Sequence, residues 1–184
     1  YGLIGFLYDF IKIKFKRNLG LTAKQKLFGQ IVLASGVFWL LFSTGISTAI
    51  TIPMTELSFD LGWIGYFFFF LFLTVGTTNA TNLTDGLDGL ASGITLIVST
   101  FFMLLASYSG VANTEVAVLA AATIGACLGF LGFNAYPARI FMGDTGSMAL
   151  GGAVVAFAIL TNSVLLIPLV GGIYFAEAIS VLLQ

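Results

Sequence analysis

Asn82, Asp85 and Asp88 follow one another in steps of three, so on a helical turn they would share one arc of about 120°. Gly86 and Gly89 stand beside the two carboxylates. With no side chains there, backbone can approach a ligand closely. Two carboxylates this near repel unless one is protonated or a cation lies between them. The segment from Asn79 to Gly93 carries no Lys or Arg, so a divalent ion is the simpler partner. Carboxylate oxygens together with phosphate suit Mg2+. The plainer alternative is a helix start capped by Asp85 or Thr84, but one cap accounts for only one polar residue.

Two further segments carry chemistry. Asn134, Arg139, Phe141 and Asp144 lie around Pro137, which ends the preceding apolar helix. An amide, a guanidinium, a carboxylate and an exposed ring suit a phosphorylated ligand with a base to stack on Phe141. Asp144 could also cap a helix starting near residue 146. Near the amino end, Tyr8, Lys12 and Lys16 fall at i, i+4 and i+8, and share a face if the helix continues that far. Lys12 and Lys16 would attract phosphate; a topology-setting basic loop is the competing reading. Asp9 is one step around.

The elements that position these residues must be membrane helices. Of 184 residues, 59% are hydrophobic and only 8% charged, and the mean hydropathy is +1.07. A soluble domain carries about 25% charged residues. The composition therefore excludes a soluble globule, a disordered chain and a nucleic-acid binder working through a basic face. A spanning helix takes about 20 apolar residues. Apolar runs at 1–8, 27–50, 61–78, 90–108, 115–133, 146–161 and 163–183 predict an all-α bundle of six spans and the tail of another, forming one transmembrane domain over 1–184. Pro168 with Gly171 and Gly172 predicts a bent or broken last span. Gly151-Gly152 and Gly171-Gly172 are read as close helix contacts, Phe67–Phe70 as lipid-facing bulk, and Cys127 as packing. Tyr1 opens inside an apolar run and Gln184 closes one, so the sequence reads as an internal fragment. His is absent and Cys127 is the one cysteine, which removes His chemistry and disulfides from these residues.

Six of the seven basic residues precede residue 27: Lys12, Lys14, Lys16, Arg17, Lys24 and Lys26. The positive-inside rule makes that stretch cytoplasmic. Alternation then sends the loop with Glu56 and Asp60 outward, and brings Asp9, Asp85, Asp88, Arg139 and Asp144 to the cytoplasmic face. Charges beside a span are expensive unless they pair, bind ions or line a wet cavity.

Three motifs, Lys16-Arg-Asn-Leu-Gly-Leu-Thr22, Asn82-Leu-Thr-Asp-Gly-Leu-Asp-Gly-Leu90 and Phe141-Met-Gly-Asp-Thr-Gly-Ser147, occur in this order. Together they resemble the polyprenyl-phosphate N-acetylhexosamine 1-phosphate transferase superfamily, and most closely its phospho-N-acetylmuramoyl-pentapeptide transferase branch. The resemblance runs over essentially the whole chain. It implies a ten-helix enzyme of the bacterial cell membrane with its site on the cytoplasmic face. Such an enzyme moves phospho-N-acetylmuramoyl-pentapeptide from its UDP donor to undecaprenyl phosphate, releasing UMP and forming lipid I with Mg2+. It implies Asp144 as the magnesium ligand, with Asp9, Asp85 and Asn82 in the catalytic cleft. Gly86, Leu87, Asp88 and Phe141 would form the uracil pocket, and Lys12 and Asn134 would meet the phosphates or their surroundings. The implied partners are that donor, undecaprenyl phosphate and membrane lipid, and a homodimer is left open.

Two departures stand out. The family has paired aspartates where this chain has Tyr8-Asp9, and the first of that pair is a proposed general base for the lipid phosphate. A phenol with a reference pKa of about 10 is neutral near pH 7. The family's His-rich cytoplasmic loop and earlier spans do not occur in these residues, so the fragment alone is expected to be inactive. A sister enzyme transferring N-acetylglucosamine 1-phosphate is the nearest rival. A transporter is the rival from another class, but transporters place polar groups at the midplane of repeated halves.

Overall fold

The computed structural model describes residues 1–16, 20–53, 55, 57–108 and 113–183. Arg17, Asn18 and Leu19 of the first motif, and Glu56 of the expected outward loop, lie outside the described residues. The chain is a helical membrane bundle. Its helices are α1 (Gly2–Lys14), α2 (Ala23–Ser43), α3 (Gly62–Thr84), α4 (Leu90–Tyr108), α5 (Thr114–Asn134) and α6 (Gly143–Leu160), followed by the short α7 (Ile167–Val170) and α8 (Gly172–Leu183). Helices α2 to α6 are each long and apolar enough to cross a bilayer. Residues Val164–Val170 and α8, which meet at 66°, are together also long and apolar enough, as a broken span or a re-entrant loop. The bend expected from Pro168 and the glycines is therefore present. In hydrocarbon every backbone amide must bond within its own segment, which is why uninterrupted apolar sequence becomes helix here.

Several boundaries differ from the hydropathy reading. The run 27–50 is not one helix. Helix α2 begins earlier, at a capping box in which Thr22 Oγ1 accepts from Gln25 N and Gln25 Oε1 accepts from Thr22 N. It ends at Ser43. Ala49–Thr51 (β1) instead pairs antiparallel with Ser58–Asp60 (β2), with Ile50 opposite Phe59. Ala49 and Ile50 are apolar enough to extend a hydropathy window, yet the branched side chains of Ile50 and Thr51 fit a strand. In the other direction, α3 continues six residues past 78. Thr74, Thr81 and Thr84 each donate to the carbonyl four residues back, so their hydroxyls are satisfied inside the helix and the polar stretch does not break it. Helix α1 continues past residue 8 to Lys14, but Lys16 lies beyond its end at φ 48°. The shared face of Tyr8 and Lys12 therefore does not extend to Lys16.

Helices α3 and α6 form the centre. Helix α3 packs against α2, α6 and α8, while α6 also packs against α1. A Cβ on Gly151 would lie 2.8 Å from Thr78 Cα, so this glycine sets the closest approach of α6 to α3. Gly152 is less restrictive, with 3.5 Å to Tyr1, and Gly172 has open space around it. The close contact read for both pairs thus belongs to Gly151, while Gly171 sits at the bend against Ile167 and Tyr174. Phe70 is buried rather than lipid-facing, edge-on to Phe38 at 5.6 Å, whereas Phe68 is exposed. Cys127 is buried. Leu27, Phe28, Val32, Trp39 and Leu40 of α2 are exposed, as side chains facing lipid can be at no cost in hydration.

Candidate functional site

Four helix ends converge at one pole of the bundle. The last turns of α1 bring Tyr8 and Asp9, the first turn of α2 brings Lys26, the last turn of α3 brings Asn82, and the first turn of α6 brings Asp144, Thr145 and Ser147. The Lys26 ammonium donates to Asp144 Oδ2 at 2.7 Å and to Asn82 Oδ1 at 2.7 Å. Asn82 Nδ2 donates to Asp144 Oδ1 at 3.1 Å and to Ser147 Oγ at 2.8 Å. Ser147 Oγ donates in turn to Gly143 O at 2.8 Å. Both oxygens of Asp144 are thus held, one by a cation and one by an amide. Lys26–Asp144 is the one ion pair among the described residues.

Asp144 is not the cap of α6. The helix begins at Gly143, and Asp144 lies within its first turn. The capping task falls to Asp9 of α1, whose Oδ2 accepts from Thr145 N at 2.9 Å and Thr145 Oγ1 at 2.7 Å. A carboxylate at a helix N-terminus is favoured by the free amides and the helix dipole. Gly143 makes the approach feasible: its φ is 67°, and a Cβ there would lie 2.9 Å from Asp9 Oδ2.

Asp85 is the residue just past the end of α3. Its backbone N–H donates to Asn82 O. It therefore terminates one helix instead of starting the next, and the expected helical arc of Asn82, Asp85 and Asp88 is broken at this turn. Desolvation raises the Asp85 acid to about 6, and the negative charges of Asp144 and Asp9 add to the rise. Three carboxylates from three elements thus share one small region with a single lysine against them.

The turn after α3 is fastened to the loop before α6. Asp88 Oδ2 accepts from Ala138 N at 3.0 Å. Asn134, buried at the end of α5, accepts from Gly89 N at 3.1 Å and donates to Ile140 O at 2.9 Å. These two polar side chains serve as loop fasteners here, Asn134 from a buried position and Asp88 from an exposed one. Beside them Leu87 and Phe141 are 64% and 78% exposed, each presenting an apolar surface to solvent. Gly86 has only Leu83 O near its open side. Lys12 and Arg139 are exposed, and neither side chain joins the network around Asp144.

The sequence reading grouped Asp9, Asn82, Asp85 and Asp144, and the fold brings them to one pole. It passed over Lys26, Thr145 and Ser147 as network members, and over the pair beneath them. Gln30, fully buried on α2, exchanges amide bonds with Asn79 at 2.8 and 3.1 Å. A signal existed: Lys26 and Gln30 are four apart on an apolar helix, as Asn79 and Asn82 are three apart on another, so each pair marks one polar stripe.

No three or more His, Cys, Asp or Glu residues stand ready-made to hold a metal ion among the described residues. Mg2+ does not need such a cage. It is held by one or two carboxylates and keeps water and substrate phosphate as its other ligands. Asp144 with Asp85 offers that donor set: burial first, and then the negative charges of Asp144 and Asp9, disfavour the ionised Asp85 carboxylate, and a bound cation would relieve both. The residues therefore fit the ion.

The model of glycosyl transferase family 4 matches residues 1–162. The chain is 65% identical to the phospho-N-acetylmuramoyl-pentapeptide-transferase of Clostridioides difficile (strain 630), over 100% of this chain and 57% of that protein. It is 56% identical to the protein of that name from Alkaliphilus oremlandii, covering 58% of it. The namesake from Bacillus subtilis (strain 168) is 53% identical, with 56% covered. The chain thus spans a little over half the length of the curated relatives it matches.

Proposed function

Because the chain belongs to glycosyl transferase family 4, we propose that its whole protein transfers phospho-N-acetylmuramoyl-pentapeptide from UDP-N-acetylmuramoyl-pentapeptide to undecaprenyl phosphate, with UMP and lipid I as products. The observation that carries this reading is the pole where Lys26, Asn82 and Asp144 interlock beside Asp85 and Asp9. The names of the relatives support the muramoyl-pentapeptide donor over N-acetylglucosamine.

An oxygen of the lipid phosphate forms a bond to the donor's sugar-bearing phosphorus, and the bond from that phosphorus to the oxygen bridging to UMP breaks. Such transfers demand alignment and neutralisation of charge more than covalent help from the protein. Mg2+, held by Asp144 and Asp85, would neutralise the diphosphate. Lys26 offers a second positive charge that can turn from Asp144 to a phosphate oxygen. Asn82 holds the Asp144 carboxylate in one orientation, with Ser147 behind it. Asp9 fixes the first turn of α6 and with it the place of Asp144. Exposed Phe141 and Leu87 offer apolar faces to the uracil ring, on loops tied together by Asp88 and Asn134. Lys12, exposed on α1, is available to an incoming phosphate. The site lies on the cytoplasmic face in this reading, since the UDP donor is water-soluble and the basic residues before residue 27 mark that side.

Donor competition tests the proposal. Full-length protein in detergent, given undecaprenyl phosphate with equal UDP-N-acetylmuramoyl-pentapeptide and UDP-N-acetylglucosamine, should yield only the muramoyl-pentapeptide lipid by mass spectrometry. Accumulation of the N-acetylglucosamine lipid would replace this reading with that of the sister enzyme.

A further inference from the structure

The Lys26 ammonium has a third neighbour besides Asn82 and Asp144. It stands over the ring of Tyr8, 5.4 Å from the centroid. Only 15% of the Lys26 side chain and 20% of the Asp144 side chain is exposed, so water contributes little to holding the pair. Resting on the magnesium reading above, we propose that Tyr8 is a positioning residue whose ring seats Lys26 on Asp144, and that the seated lysine is a resident cation competing with the divalent ion for that carboxylate.

The argument is one of shared oxygens and shared charge. Asp144 Oδ2 is taken by the ammonium and Oδ1 by Asn82 Nδ2. A cation arriving at Asp144 must displace the ammonium from Oδ2 or settle beside it. Two positive charges within a few ångströms in a poorly solvated pocket repel strongly. The ammonium must therefore swing away as the ion binds. An aromatic face within about 6 Å attracts a cation through its quadrupole, the more so where water is excluded. The Tyr8 ring thus adds to what the ion must overcome, and it does so with its face rather than its hydroxyl. Tyr8 and Lys26 come from different helices, α1 and α2, so the seat also ties those helix ends together. The chain with tyrosine at this position should accordingly need more divalent ion to fill its site than the same chain without the ring.

Binding of Mn2+ alone, followed by the loss of its free-ion EPR signal, tests this in full-length protein in detergent without donor or acceptor. Tyr8→Phe keeps the ring and should match the parent. Tyr8→Leu should bind Mn2+ about threefold more tightly. Lys26→Met should bind it about tenfold more tightly. Tyr8→Leu added to Lys26→Met should have no further effect, because the ring then has no ammonium to hold. If Lys26→Met does not fold, Lys26→Gln takes its place with the same expected order. Equal affinity of Tyr8→Leu and parent overturns the proposal, as does an equal effect of Tyr8→Leu with and without Lys26. A fall in affinity on removing Lys26 overturns it too. Absence of Mn2+ binding in parent and variants alike would strike the magnesium reading itself, on which this one depends.

Discussion

Asp85 is the side chain whose acidity the fold changes most at this pole, and its consequences are directional. Its acid is raised to about 6 by desolvation and by Asp144 and Asp9. Above that pH the folded protein holds an unfavourable charge that the unfolded chain holds freely. The native state regains stability as pH falls through about 6 toward the ordinary carboxylate range, and lacks that contribution above it. Asp85→Asn should therefore melt a few degrees higher than the parent at pH 7.5 without divalent ion, with the gap closing between pH 6 and 4. A pH-independent gap would assign the effect to packing. Phe141 is a second residue with a separable role. Phe141→Ala should weaken a uridine-based inhibitor about tenfold, the size expected from losing one stacked ring, while apparent affinity for the prenyl phosphate changes little. Unchanged inhibitor binding, read by calorimetry, would remove Phe141 from the donor site. At Tyr8 a carboxylate would add a proton acceptor and a cation ligand that a neutral phenol lacks. Tyr8→Asp should raise lipid I formation by about tenfold or more. Equal rates and pH profiles would show that no carboxylate is needed there.

At the scale of elements, hydropathy located the spans and misjudged their ends for physical reasons. Helix α3 outlasts its apolar run because Thr81 and Thr84 return their hydroxyls to the helix backbone, and a hydropathy window cannot count that bond. The hairpin at 49–60 was hidden because Ala49 and Ile50 score as membrane residues. Asn82 and Asp85 were legible from spacing and glycine context, whereas Asp144 read equally as a helix cap until the family resemblance implied a metal ligand. Lys26 was not, because it stood among six basic residues whose simplest meaning was topology. Its separate role depends on α2 lying against α3, which no local pattern encodes. The same helix packing yields a test. Gly151→Leu would force α6 away from Thr78 on α3 and should cost about 3 kcal/mol, read as faster thermal inactivation. A variant as durable as the parent would show that the α3–α6 approach is not tight.

At the scale of the molecule, the interlocked lysine, amide and carboxylates stand together at one pole of the bundle. Elements far apart in sequence supply that pole: Lys26 and Asp144 are separated by 118 residues, and Asp9 and Thr145 by 136. Contacts of that reach place the Asp144 carboxylate only once α1, α2, α3 and α6 have all assembled. The central claim is that this carboxylate serves a cation during transfer. Asp144→Asn keeps the size of the side chain and one acceptor oxygen, but removes its charge and one of the two oxygens that Lys26 and Asn82 share. The deciding measurement is lipid I formation by full-length parent and Asp144→Asn, in matched amounts of folded protein, across a magnesium titration. The account predicts a rate at least about 100-fold lower in the variant at ordinary magnesium, in protein that melts lower for want of the Lys26 partner but is still folded at the assay temperature. A near-normal rate at ordinary magnesium would contradict it.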